Sequence, residues 1–419
     1  MKELTSRIYN TVIFVSIYLF GRLLLLPGVD HSVFFQHNTT GIIAWLDRLL
    51  GSSLTSYSVL ALGIYPYISA SIFIQFASRN LPYFQRLQKE GPSGRNKLSQ
   101  ITRLLACFVA PLQAIPYLLR SVPQQALFIS RYEFLLLGLI VLTTGTMFCV
   151  FLADRITEKG IGNGSSVIIT SGILASLPNS ITQEVSQVSG MLIFVIEVVV
   201  LFFITLSIIA ITRAVRKIPL QRARQFVGLN ALTYTGRGEY LPVQVNAAGV
   251  MPIIMAGMLS TSPRLLGRLL RDKSEWAATI ETIMSDDTGW QYNLFLAILV
   301  FGCTYFYVAI FFNVSEIVSS LKKENAFISN VKPGRDTAAY IDSVLGKVTL
   351  FGSFFLALIA VLPAVAYYFK VTRAFSRFFG GTNLIILTGT ILELIQQIKS
   401  YLFMGQYNNM VQNETIPEL

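Results

Sequence analysis

Residues able to do acid–base, metal or nucleophilic chemistry are sparse in this chain, and their spacing assembles no such site. The two histidines, His31 and His37, share one loop without ligand partners nearby, and no Ser-His-Asp or Cys-His arrangement can be built from them. Cys107, Cys149 and Cys303 fall inside apolar runs, give neither a metal spacing nor a disulfide framework, and read as buried small hydrophobes. The string GIGNGSS at 160–166 has the glycines of a nucleotide cradle. A dinucleotide fingerprint needs a preceding strand in a βαβ unit, whereas this string lies between two apolar spans. Nothing resembles a P-loop. Glu197 and Glu393 are the acids best placed inside apolar runs; carboxylates there are functional suspects by default, but the sequence assigns neither a role.

The informative residues are of another kind. The stretch ALGIYPYISASIFIQ at 61–75 is apolar enough for lipid, yet it opens on Gly63 and Pro66 and carries Ser69, Ser71 and Gln75. Gly and Pro at a helix start leave backbone groups without an i−4 partner. Lipid cannot satisfy them, so such a start faces protein or water. Small residues let two helix faces approach closely. The same Gly-x-x-Pro-x-Ile pattern recurs at Gly249 and Pro252. The two copies start the second and seventh spans, five spans apart, which predicts an inverted repeat with its axis in the membrane plane.

The elements that must position these residues are membrane helices. The 419 residues are 53% hydrophobic and only 13% charged, and the mean hydropathy is +0.58. A soluble domain carries roughly 25% charged residues. Spans are predicted at about 11–27, 58–77, 103–120, 132–153, 165–178, 189–212, 248–262, 291–313, 346–369 and 382–404. Ten spans put both termini on one side. Basic residues crowd 79–103, 213–237 and 322–347 on that side, which makes it the cytoplasmic one. No cleavable signal peptide is evident: the first apolar run ends in Pro27-Gly28 without a small-residue cleavage pattern.

The net charge of +11 fits contact with anionic lipids or an anionic partner. Loops 213–247 and 314–345 are long enough to stand off the membrane as hairpins. Their cations fit either a lipid-facing skirt or the docking of a large cytosolic partner, and length favours docking. The segment 41–59 has Ile42, Ile43, Trp45, Leu46, Leu49 and Leu50 at helical spacing, interrupted by Asp47 and Arg48 and ended by Gly51, Ser52 and Ser53. It is too short and too charged to span; it is either an outer amphipathic turn or a re-entrant half-helix.

Taken together, LPGVD (26–30), the 61–75 stretch, KEGPSGRNKLSQITR (89–103), EKGIGNGSSVIIT (158–170), RKIPLQRAR (216–224), YLPVQVNAAGVMPII (240–254), VKPGRDTAAYID (331–342) and FFGGTNLIIL (378–387) resemble the SecY family of pore-forming subunits of the bacterial protein-conducting channel. The resemblance implies an all-α polytopic membrane protein of ten transmembrane helices, in two inverted five-helix halves, 1–178 and 179–419, forming a clamshell around a central pore. It implies a pore ring of Ile64, Ile68, Ile169, Ile254 and Ile386, and makes the 41–57 segment a plug. The second and seventh helices become a lateral gate carrying Gly63, Pro66, Ser69, Ser71, Gln75, Asn246, Gly249, Pro252 and Met255. The basic loops become docking sites for the motor ATPase SecA and the ribosome through Arg216, Lys217, Arg222, Arg224, Arg237, Lys332 and Arg335. Further implied partners are the small subunits SecE and SecG, secretory and membrane-protein precursors, and anionic lipids. The implied location is the bacterial inner membrane, and no cofactor, metal or enzymatic activity is implied.

Four sites depart from the family pattern, one of them Ser329-Asn330 in place of Pro-Gly. Gly51-Ser52-Ser53 replaces a glycine pair, Lys332 stands at an arginine position, and Leu19 occupies the family's arginine site in the first helix. Arg22, three residues on, shares that helix face. An inverted-repeat secondary transporter is the alternative class, but it would need intramembrane charges to couple an ion gradient, and the chain offers few.

Overall fold

A computed structural model describes residues 2–29, 58–121, 128–187, 191–222, 240–246, 249–270, 275–286, 289–329, 331–376, 378 and 381–414. The helices are α1 (Lys2–Gly21), α2 (Tyr65–Asn80), α3 (Pro82–Lys89), α4 (Pro92–Ser121), α5 (Arg131–Lys159), α6 (Gly164–Gln187), α7 (Met191–Arg213), α8 (Met251–Leu270), α9 (Glu275–Ser285), α10 (Trp290–Phe311), α11 (Val314–Lys323), α12 (Arg335–Tyr368), α13 (Arg373–Ser376) and α14 (Gly381–Glu414). Each of the ten expected spans carries one of them. Among the described residues, five stretches are long and apolar enough to cross a membrane: 92–119, 131–159, 191–213, 290–323 and 335–368. The 34 residues of α12 reach about 51 Å, well past a hydrocarbon core of ~30 Å.

The ends of the spans differ from expectation for local reasons. The first helix stops at Gly21 rather than near residue 27, and turns follow it. The second starts at Tyr65, not residue 58. Gly63 adopts φ +52° and Pro66 sits in the first turn, so helical geometry cannot run back through them. Residues 58–64 are turns instead, tied down by Val59 N–H to the Leu24 carbonyl at 2.8 Å and Leu60 N–H to Ser58 Oγ at 3.0 Å.

The chain divides into two compact units. The first comprises Met1–Phe194, Thr372–Phe375 and Ile386–Leu419; the second comprises Val195–Val371 and Ser376–Ile385. In the first, Leu26, Ala114, Leu118, Phe134 and Leu142 form a buried cluster joining α4 and α5 to the chain after α1. In the second, Ile208, Ile253, Ala256, Val300, Leu356 and Ile359 draw α7, α8, α10 and α12 together.

The second unit also contains a small sheet. β1 (Val215–Arg222) pairs antiparallel with β2 (Tyr240–Gln244) on one edge and with β3 (Ala326–Ile328) on the other. The two basic loops are therefore not independent hairpins: β1 and β2 come from one, β3 from the other. Ile218, Val243, Leu321, Ile328, Ile341 and Leu345 close a core beneath the sheet. Burying alternate strand residues against α11 and α12 is what brings the two loops together.

Candidate functional site

The two Gly-x-x-Pro starts share one backbone conformation. Gly63 has φ +52° and Gly249 φ +64°. Gly63 N–H bonds the Leu60 carbonyl at 2.9 Å, and Gly249 N–H bonds the Asn246 carbonyl at 3.2 Å. In each copy the helix begins two residues after the glycine and one before the proline. Among the described residues neither site has neighbours that would crowd a side chain closely; the left-handed backbone is what demands glycine.

Four of the five ring isoleucines belong to the first unit. Ile64 is the residue preceding α2, and its carbonyl accepts from Ile68 N–H at 3.1 Å. Ile64, Ile68, Ile169 on α6 and Ile386 on α14 are all buried. Ile254 belongs to the second unit, on the half-buried face of α8, next to fully buried Ile253.

The polar residues of α2 are built into its own unit. Ser69 Oγ donates to the Tyr65 carbonyl at 3.1 Å and accepts from Gln113 Nε2 of α4 at 3.0 Å. Gln75 Nε2 donates to Ser71 Oγ at 3.2 Å along the same helix. Beside them, Ala70 of α2 and Ala106, Ala110 and Ala114 of α4 are fully buried. A stripe of alanines at i, i+4 and i+8 lets the two helices approach closely. Gln113 was missed by sequence reasoning, although its place between Ala110 and Ala114 on an apolar helix marks it as a candidate polar contact. In the second unit Pro252 and Asn246 are buried, Met255 packs against the core, and Asn246 Oδ1 is buried without a hydrogen bond among the described residues.

Arg22 also has a defined place. Its Nη1 donates to the Gly172 carbonyl of α6 at 3.0 Å, and its guanidinium lies 6.0 Å from the Tyr18 ring. It thus bridges the end of α1 to α6 one turn beyond Ile169.

Of the basic residues, Arg216 and Lys217 are exposed on β1, and Lys217 Nζ lies 4.8 Å from the Tyr240 ring on β2. Lys332 and Arg335 are exposed around the turn that opens α12, and Thr337 Oγ1 donates to the Lys332 carbonyl at 2.8 Å. Beside that turn is a cavity of about 280 Å³ lined by residues including Leu321, Lys322, Phe327 and Pro333. Arg222 ends β1.

Several expected residues fall outside the described ones: Arg224, Arg237, His31, His37, and the segment with Ile42, Ile43, Trp45, Leu46, Leu49, Leu50, Gly51, Ser52 and Ser53. One expectation is corrected. Cys149 and Cys303 are buried, but Cys107 is exposed on α4: the buried side of that helix is already taken by Ala106, Ala110 and Ala114. GIGNGSS runs from a short loop at 160–163 into the first turn of α6, and α5 rather than a strand precedes it, so it is no dinucleotide cradle. Glu197 is buried and Glu393 half-buried.

A family model described as SecY matches residues 58–395. The protein translocase subunit SecY of Chlamydia trachomatis serovar D is 32% identical over 446 aligned residues, covering 99% of this chain and 97% of that protein. A solved structure described by the role of its SecY plug domain in stabilising the closed translocation channel aligns with a TM-score of 0.61 at 14% identity, over 95% of this chain and 92% of that one. Sec61 in the canine ribosome–channel complex aligns at TM-score 0.59 and 15% identity, over 95% and 92%.

Proposed function

Since this chain belongs to the SecY family and is a multi-pass protein-conducting channel, we propose that its ring isoleucines are the constriction and its paired Gly-x-x-Pro helices the lateral gate. In this scheme Ile64, Ile68, Ile169, Ile254 and Ile386 line the waist. β-branched side chains are stiff and give water no hydrogen bonds, so a ring of them dewets and blocks ions yet yields around a passing polypeptide. Gly63, Pro66, Ser69, Ser71 and Gln75 line one side of the seam; Asn246, Gly249, Pro252 and Met255 line the other. Hydrophobic segments leave sideways through it, and hydrophilic ones go through the waist. The observation that carries this is the shared conformation at Gly63 and Gly249, which marks α2 and α8 as copies of one another.

Residues 1–178 and 179–419 are the two inverted halves, and 41–57 is the plug. Both termini are cytoplasmic, in a bacterial inner membrane rich in anionic lipid. The exposed cations of β1 and of the turn before α12 support docking of the ribosome or SecA, and joining both loops in one sheet gives a partner a single platform. SecE and SecG complete the complex. The chain is not itself an enzyme, and energy comes from SecA, the ribosome or the membrane potential.

The test is a disulfide between cysteines placed at Ser71 and Met255, in a background lacking Cys107, Cys149 and Cys303. Oxidation is expected to stop membrane-protein insertion, and reduction to restore it. Insertion that continues through the cross-linked channel rejects the gate assignment. ATP- and SecA-dependent, saturable uptake of a secretory precursor into vesicles separates this scheme from a solute transporter.

A further inference from the structure

The loop Gly160–Gly162, which no part of the pore or gate uses, is fastened from two helices of the first unit. From α1, Thr11 Oγ1 accepts Ile161 N–H at 2.9 Å, and Arg7 Nη1 donates to the Gly160 carbonyl at 3.4 Å. From α14, Gln397 Oε1 accepts Gly162 N–H at 2.7 Å. Gly162 has φ +86°, and a Cβ there would lie 2.6 Å from Leu394 Cδ2. Arg7 also stacks over Tyr401 of α14 at 5.2 Å. All three loop residues are buried.

The loop leads directly into α6, and Ile169 lies five residues beyond the helix start, about 7.5 Å along its axis. Ile386 lies eleven residues before Gln397, three turns away and on the same face of α14, at about 16 Å. One hydrogen bond therefore fixes where α6 begins against where α14 passes it. Through two rigid helices it fixes the height of one ring isoleucine against the other. Leaving the buried Gly162 N–H unpaired is costly if the glutamine is lost, so a slip of α14 toward a new partner is the expected response.

We infer that Gln397 is a positioning residue of the ring: its bond to Gly162 sets the register of α14 on α6 and so sets the height of Ile386 relative to Ile169 in the closed channel. This rests on the assignment of the isoleucines as the constriction.

The test uses the full channel complex, reconstituted in planar bilayers, with resting ion conductance as the readout. Ile169→Asn and Ile386→Asn are measured first; both are expected to leak. Gln397→Leu keeps the size and removes the acceptor, and its resting conductance is expected to rise about fivefold. Gln397→Glu keeps an acceptor at the same reach and is expected to stay closed. Gly162→Ala, which pushes on Leu394, is expected to leak as well and serves if Gln397→Leu does not accumulate. Leaky ring variants with a tight Gln397→Leu channel overturn the inference and leave the ring standing. Equal leak in Gln397→Leu and Gln397→Glu also overturns it, because the acceptor would then be irrelevant. Tight ring variants remove the ring assignment, and the inference with it.

Discussion

Gln113 of α4 donates a hydrogen bond to Ser69 of α2 at 3.0 Å, beside the fully buried alanines of both helices. The polar face of the second span is thus pinned to its neighbour within the same unit and does not hang free as a loose gate strip. α2 and α4 are expected to move together. Ser69→Ala and Gln113→Leu should each destabilise the first unit by ~1 kcal/mol, and the double variant by clearly less than the sum, because one bond is being removed twice. Unfolding in mixed micelles measures this; strict additivity would show that the bond contributes nothing.

The glycine pair makes a sharper backbone prediction. Gly63→Ala and Gly249→Ala force a Cβ into the left-handed region and should each cost ~1–2 kcal/mol. Gly302 lies in the middle of α10, exposed, with no atom near a built Cβ and no positive φ. Gly302→Ala should instead stabilise by ~0.5–1 kcal/mol. If all three alanines behave alike, backbone conformation is not what selects glycine at the two helix starts.

The ring predicts an ion leak. Ile68→Asn and Ile386→Asn place an amide where water now finds no partner. Resting conductance should rise about tenfold, and precursors with defective signals should be admitted. Unchanged conductance in a planar bilayer would count against a hydrophobic seal at these positions.

Lys332 and Arg335 flank the turn that opens α12, and neither makes an ion pair among the described residues. Lys332→Glu with Arg335→Glu should weaken ribosome and SecA binding and change its dependence on salt, since exposed charges act through a screened field. Thermal unfolding should be almost unchanged. Equal affinity at low salt would argue that these cations serve the lipid surface.

The departures from sequence expectation have physical causes. Hydropathy starts the second span seven residues before the helix does, because it counts apolar side chains and is blind to the positive φ of Gly63. Cys107 was expected to be buried because an apolar run does not say which of its faces meets protein. The joining of β1 and β3 could not be anticipated: they lie more than a hundred residues apart, and pairing between strands is fixed by what their alternate side chains bury against.

The sequence by itself determined the number and order of the spans, the repeated helix start and the family. Each of these is written locally, in hydropathy, charge and the conformational demands of Gly and Pro. Tertiary structure alone decided which residues those elements hold together: Ser69 with Gln113, Arg22 with Gly172, and Gly162 with Gln397 across 235 positions of chain. A hydrogen bond between distant segments leaves no periodic trace. It exists because packing carries a buried N–H within reach of an acceptor, and burial makes leaving it unpaired costly.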